Sequence, residues 1–321
     1  MRVVLYISLV SLLLASCDPG EIAIDPYERG EATLNQIDLG PAYQLQAYFD
    51  FGTNSFVKSN FRQDWELAFN CSDTSLDVYL NSSMLMRGAL IDATDFSFEP
   101  NPDNITMRAD HPGLHKDSLG LSHIVNSEKL GIIDLGIDAE GTPRGYKKLM
   151  ITFNEAQQHY VLKYANLDGS DQVVLNVPKD KDYNTVEVNL SIGEPFHMSP
   201  ARHDYDVYFG QYTHQFYVPY MPYLVMGVLS NPYQTTVAID TEHDFATIDR
   251  NTISEFTFST ARDAIGYNWK YYDLDEGVYI IRKGINYIIK DAEGFYYKMH
   301  FIDFYNEAGV KGAPKFEFQR L

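Results

Sequence analysis

Tyr287-Ile288-Ile289-Lys290-Asp291-Ala292-Glu293-Gly294-Phe295-Tyr296-Tyr297-Lys298-Met299-His300-Phe301 reads as two strands and the turn between them. β-Branched and aromatic residues fill both flanks, and the acidic stretch ending in glycine supplies the turn. Working outward, the same grammar recurs in Leu76-Asp77-Val78-Tyr79-Leu80, Tyr160-Val161-Leu162-Lys163-Tyr164, Thr185-Val186-Glu187-Val188-Asn189-Leu190 and Gly277-Val278-Tyr279-Ile280-Ile281-Arg282. Short alternating runs separated by Asn, Asp, Gly and Pro are strands. No stretch carries a long apolar stripe at helical spacing; residues 251–264 have room for one short helix. The expected class is all-β.

Comparing the chain with itself suggests a duplication. Asp64-Trp65-Glu66-Leu67-Ala68-Phe69 resembles Asp204-Tyr205-Asp206-Val207-Tyr208-Phe209, and the 154–164 region resembles 290–301 at nearly the same offset. Two related β-rich units follow, at 38–192 and 200–321, separated where Gly193, Pro195 and Pro200 interrupt the strand pattern.

The start of the chain has a different character. Met1-Arg2 is followed by an apolar run that ends in Leu14-Ala15-Ser16-Cys17, the layout of a secretory signal over residues 1–17. Its last four residues match the lipobox of bacterial lipoproteins, which makes Cys17 the expected lipidation site and the first mature residue. Acyl chains on that residue would hold the protein to the membrane, and residues 18–37, polar and without hydrophobic periodicity, would act as a tether. With the Cys17 thiol lipidated, Cys71 is the only free cysteine, so no internal disulfide and no cysteine-built metal site is possible.

The formal net charge is -19, from 44 acidic and 25 basic residues, which would repel a phosphate-rich partner and argues against nucleic acid. With 24 Tyr and 19 Phe, the chain is rich in rings that pack on one side and reach water with the other, as two-sided sheets require. No catalytic signature is present: there is no H-E-x-x-H, G-x-S-x-G, P-loop or dinucleotide fingerprint, and a non-enzymatic role is expected. His111, His115 and His123 share a loop-like stretch at spacings that match no tight metal motif. His159 and His300 belong to the alternation of strands, while His197 and His203 flank the boundary between units. His214 lies in Gln211-Tyr212-Thr213-His214-Gln215-Phe216-Tyr217-Val218-Pro219-Tyr220-Met221-Pro222-Tyr223-Leu224-Val225-Met226. Two accounts fit that segment: an aromatic core cluster under a long loop, or a loop that receives a flat apolar ligand whose iron is reached by His or Met.

The second unit resembles the HmuY family of haem-binding lipoproteins. The resemblance rests on Asp204-Tyr205-Asp206-Val207-Tyr208-Phe209, Ile265-Gly266-Tyr267-Asn268-Trp269-Lys270 and, above all, Tyr287 to Tyr305, followed by Gly309, Gly312 and a last strand at Lys315 to Gln319. It implies an all-β, lipid-anchored protein of the outer membrane or cell surface that captures haem and passes it to a TonB-dependent receptor. In such proteins the iron lies between two axial His or Met side chains, for which the candidates here are His214, Met221, Met226 and His243. Tyr271-Tyr272-Asp273 stand where one of the family's ligand-bearing loops would supply a His or Met. The alternative is an accessory subunit of a surface complex or transporter, built on the same scaffold and binding no haem.

Overall fold

The computed structural model describes residues 30–321, which contain no α-helix. In chain order the strands are β1 (Thr33–Gln36), β2 (Leu45–Asp50), β3 (Ser55–Phe61), β4 (Leu67–Asn70), β5 (Val78–Leu80), β6 (Arg87–Ile91), β7 (Leu130–Asp134), β8 (Tyr146–Asn154), β9 (His159–Ala165) and β10 (Val173–Pro178). They continue with β11 (Thr185–Asn189), β12 (Glu194–Phe196), β13 (Val207–Tyr217), β14 (Tyr220–Ser230), β15 (Thr236–Asp240), β16 (Lys270–Asp273), β17 (Val278–Ile281), β18 (Asn286–Lys290), β19 (Tyr296–Tyr305) and β20 (Lys311–Arg320). The 251–264 segment holds only a 3-10 turn, Thr252–Glu255. Cys17 and most of the tether lie outside the described residues.

Two sandwiches result. The first packs the sheet β12-β11-β4-β5 against the sheet β10-β9-β8-β7-β6, with Leu67, Phe69, Val186 and Val188 meeting Leu149, Ile151, Tyr160 and Leu162. The second packs β14-β13-β2-β3 against β1-β20-β19-β18-β15 around Phe49, Phe209, Met299 and Phe316. Each core is closed by alternating residues that point inward from both sheets, as burial of one apolar face per sheet demands.

The strand pairing corrects the expected boundaries. Thr33 to Phe61 does not belong to a unit running from 38 to 192: β2 pairs with β13, and β1 pairs with β20, so the N-terminal strands complete the second sandwich. In the first sandwich the same places are taken by β10, β11 and β12, which come last. The two units are therefore circular permutations of one nine-strand plan.

Side chains confirm the correspondence in detail. Asn81 and Asn231, both fully buried, follow β5 and β14; their side-chain amides donate to the carbonyls of Arg62 and Trp65 in one unit and of Arg202 and Tyr205 in the other. A buried acid precedes the central strand of each unit, and its carboxylate accepts from a backbone N–H: Glu66 from Leu190 at 2.7 Å, and Asp206 from Phe51 at 2.9 Å. Lys148 on β8 and Lys298 on β19 are each buried and donate to carbonyls of the long crossover, Phe98 in one unit and Phe245 and Ile248 in the other.

The hairpin match expected from sequence is not the structural one. By sheet position β8–β9 corresponds to β19–β20, and the pair Ile151 and Leu162 has its counterpart in Phe301 and Phe316. The turn that truly repeats is Asp-Ala-Glu-Gly, at 138–141 and again at 291–294. In both, the glycine has a positive φ, +85° and +89°, and the aspartate carboxylate accepts from the N–H four residues on.

Candidate functional site

The segment around His214 is not a loop. β13 and β14 form one long hairpin, turning at Val218-Pro219, and its register pairs His214 with Tyr223, Phe216 with Met221 and Gln211 with Met226. Paired residues in an antiparallel ladder share a face, and the face alternates along the strand. His214, Phe216, Met221 and Tyr223 therefore share one side of the hairpin, and Met226 lies on the other.

That other side is fully engaged. Near the base it enters the second core, where Met226 is 5% exposed and its carbonyl accepts from the Lys270 ammonium at 2.6 Å. Farther out it docks on the first unit: Thr213 donates to the Ser82 carbonyl at 2.5 Å, and Gln215 donates to that of Ala109 at 2.8 Å. Met226 is thus a packed core residue, which corrects its reading as a loop ligand.

The His214 side faces out. Phe216, Met221 and Tyr223 are exposed. The imidazole is half-buried, in contact with Phe216 at 4.9 Å and Tyr267 at 5.0 Å between ring centroids, and makes no hydrogen bond among the described residues. Burial holds its pKa below the ordinary imidazole value; Asp263 pulls upward and His111 adds to the depression. The ring is therefore neutral at physiological pH, the form that donates a nitrogen lone pair to a metal. Beside it lies a cavity of about 170 Å³, lined by Tyr212, Asp263, Tyr267 and Tyr287. That volume suits a small molecule, so a flat macrocycle would have to lie across the hairpin face.

His243 has another role. Its Nδ1 lies 3.0 Å from Asp240 and its Nε2 lies 3.6 Å from Glu255. The hydrogen bond with Asp240 raises its pKa, and both ring nitrogens face carboxylates. His123 turns to Asp117, whereas His111 and His115 stack with ring centroids 5.5 Å apart. His197 and His203, read as linker residues, lie against Tyr183 and Tyr233.

Between the two units lies a larger cleft of about 400 Å³, walled by Tyr48, Trp65, Tyr205 and Tyr208, with Arg262 among its lining residues. Sequence reasoning missed it, because its walls come from strands far apart in the chain. Among the described residues no His or Met lines it; its donors are hydroxyl, amide, indole and guanidinium groups.

These features define an all-β double sandwich that carries an aromatic face with one neutral, half-buried imidazole. A sequence model described as HmuY protein matches residues 42–318, so the chain belongs to the HmuY family, and the match spans both units rather than the second alone. Among solved structures, the chain is similar to apo PinO from Porphyromonas gingivitis at 10% identity, covering 91% of this chain and 98% of that one with a TM-score of 0.35. It is also similar to the apo HmuY analog TFO of Tannerella forsythia at 10% identity, covering 92% and 98% with a TM-score of 0.26. No curated protein matches.

Proposed function

We propose that this protein is a haem-capturing surface lipoprotein that receives its ligand on the outer face of the β13–β14 hairpin and delivers it to a TonB-dependent receptor. The observation that carries the proposal is His214: neutral, half-buried, free of hydrogen bonds among the described residues and flanked by exposed Phe216, Met221 and Tyr223. Rings on that face would stack on a porphyrin, while imidazole and thioether are the donors that haem iron accepts. His214 and Met221 are the residues that would hold it. The iron brings its own redox and ligand chemistry; the protein supplies orientation and an apolar surface.

Titration with haemin tests the reading. Wild type should give a sharp, shifted Soret band, H214A should lose the shift, and H243A should retain it. An unaltered spectrum in H214A would remove the hairpin face from consideration. A wild type that leaves the spectrum of free haemin unchanged would favour the accessory-subunit reading, in which the same exposed rings contact a protein partner.

A further inference from the structure

The two units differ most informatively at their buried acids. In the first, the β7–β8 hairpin is lengthened by Leu135-Gly136-Ile137 on one strand and Pro143-Arg144-Gly145 on the other before and after the Asp138 turn. Arg144 sits in that extension and pairs with Glu66, while the Arg62 guanidinium donates to the Asp138 carbonyl at 3.4 Å. Acid and base are matched.

The second unit lacks both insertions. Ile288 and Lys298 pair as Ile132 and Lys148 do, but the turn follows Lys290 at once and comes down on Asp206, the counterpart of Glu66. Among the described residues Asp206 forms no ion pair like that of Glu66 with Arg144, and Arg202, the counterpart of Arg62, lies over the Tyr233 ring instead. Three acids are left facing one another: Asp206, Asp291 and Glu293 place carboxylate oxygens within 4.8 Å of one another, and the two aspartates are each 3% exposed.

A separate observation points into the same space. The Tyr297 hydroxyl is buried, in a side chain only 1% exposed; it is turned toward Asp291 without a well-formed hydrogen bond among the described residues, and the charges of Asp291 and Asp206 act on it. Asp50 adds a further negative charge but is already engaged by the N–H groups of Gly52 and Thr53. Arg320, on the strand beside Tyr297, lies over the Phe295 ring with its charge also reaching Tyr297.

We propose that Asp206, Asp291 and Glu293 form a calcium-type divalent cation site that does in the second unit what Arg144 does in the first. One oxygen of Asp206 receives the Phe51 N–H and one of Asp291 receives the Phe295 N–H, which leaves the others and both of Glu293 to face a cation, with the Tyr297 hydroxyl beside them. An all-oxygen, carboxylate-rich set suits a hard ion, and water would complete the six to eight ligands that calcium takes. No His or Cys belongs to the cluster, so zinc is disfavoured.

Thermal unfolding of the full chain in EDTA and in 1 mM calcium, at matched ionic strength, tests the assignment. The midpoint should rise by about 3 °C or more with calcium, because a ligand that binds only the folded state stabilises it. D206N, which keeps an acceptor for the Phe51 N–H, should abolish the rise, and so should E293Q. Terbium luminescence should report one strong site per chain in wild type and none in either variant. Since Glu293 is exposed, E293Q decides the matter even if D206N fails to fold. Absence of the calcium shift in wild type, or its survival in E293Q, would overturn the proposal.

Discussion

Lys270 is nearly fully buried. Its ammonium lies 4.0 Å from the Trp269 ring and 4.7 Å from that of Phe304, with Tyr279 farther off, and burial pulls its pKa down to about 7. The unfolded chain keeps this proton until near the ordinary lysine value, so between about 7 and 10.5 it binds more protons than the folded chain, and stability rises with pH. Asp206 acts in the opposite sense. Its folded pKa of about 8 exceeds the ordinary 3.8, so without a cation its contribution is present at low pH and lost as pH rises toward 8. Asp110 and Glu187, both lifted to about 7 by burial, share that sign. Denaturant titrations from pH 4 to 10 should show K270M losing the alkaline rise and D206N losing part of the fall between pH 4 and 8. Unchanged slopes in both variants would show that neither group titrates across the folding transition. Neither behaviour was legible in the sequence, where Lys270 and Asp206 are two among many charges and only tertiary burial sets them apart.

At the level of elements, alternation along each strand was readable because one buried face imposes a period of two. The β13–β14 hairpin was not: Pro219 and Pro222 and a crowd of tyrosines imitate a loop, yet Pro222 sits in a ladder opposite Gln215. The repeated turn was also hidden, since the inserted triplets around Asp138 shift it away from any constant offset. Long-range pairing was the least legible feature, because β1, β2 and β3 carry no local sign of the strands they join. That pairing makes an unusual mutational prediction. Phe49 is fully buried in the second core, so F49A should cost about 3–5 kcal/mol. Amide exchange should then accelerate in β19 and β20, hundreds of residues away in the chain, while β8 and β9 keep their protection. Equal acceleration in β8 and β9 would mean that the two sandwiches unfold as one unit.

Across the whole molecule, the all-β class followed from the sequence, whereas the permuted closure of the two sandwiches and the cleft between them required the fold. The acidic surface and the lipobox bear on where the protein works. No helix of the described residues is long and apolar enough to cross a membrane. If Cys17 carries the acyl anchor expected from the sequence, C17S should move the protein from the membrane fraction to the soluble one or leave it unprocessed, as fractionation would show; mature protein still on membranes would point to a second means of attachment.

The permuted closure also bears on how the chain is born. A polypeptide synthesised from its N-terminus brings out β1, β2 and β3 first, yet their partners β13 and β20 emerge after the entire first sandwich, with β20 ending at Arg320. The first sandwich holds all its own strands and can close while synthesis continues. Through that interval the N-terminal strands present Ala47, Phe49 and Phe51 to solvent with no sheet to join, and open strand edges of this kind invite mispairing. The second sandwich thus cannot close until its last strand arrives, and roughly the first thirty described residues wait unpaired until then.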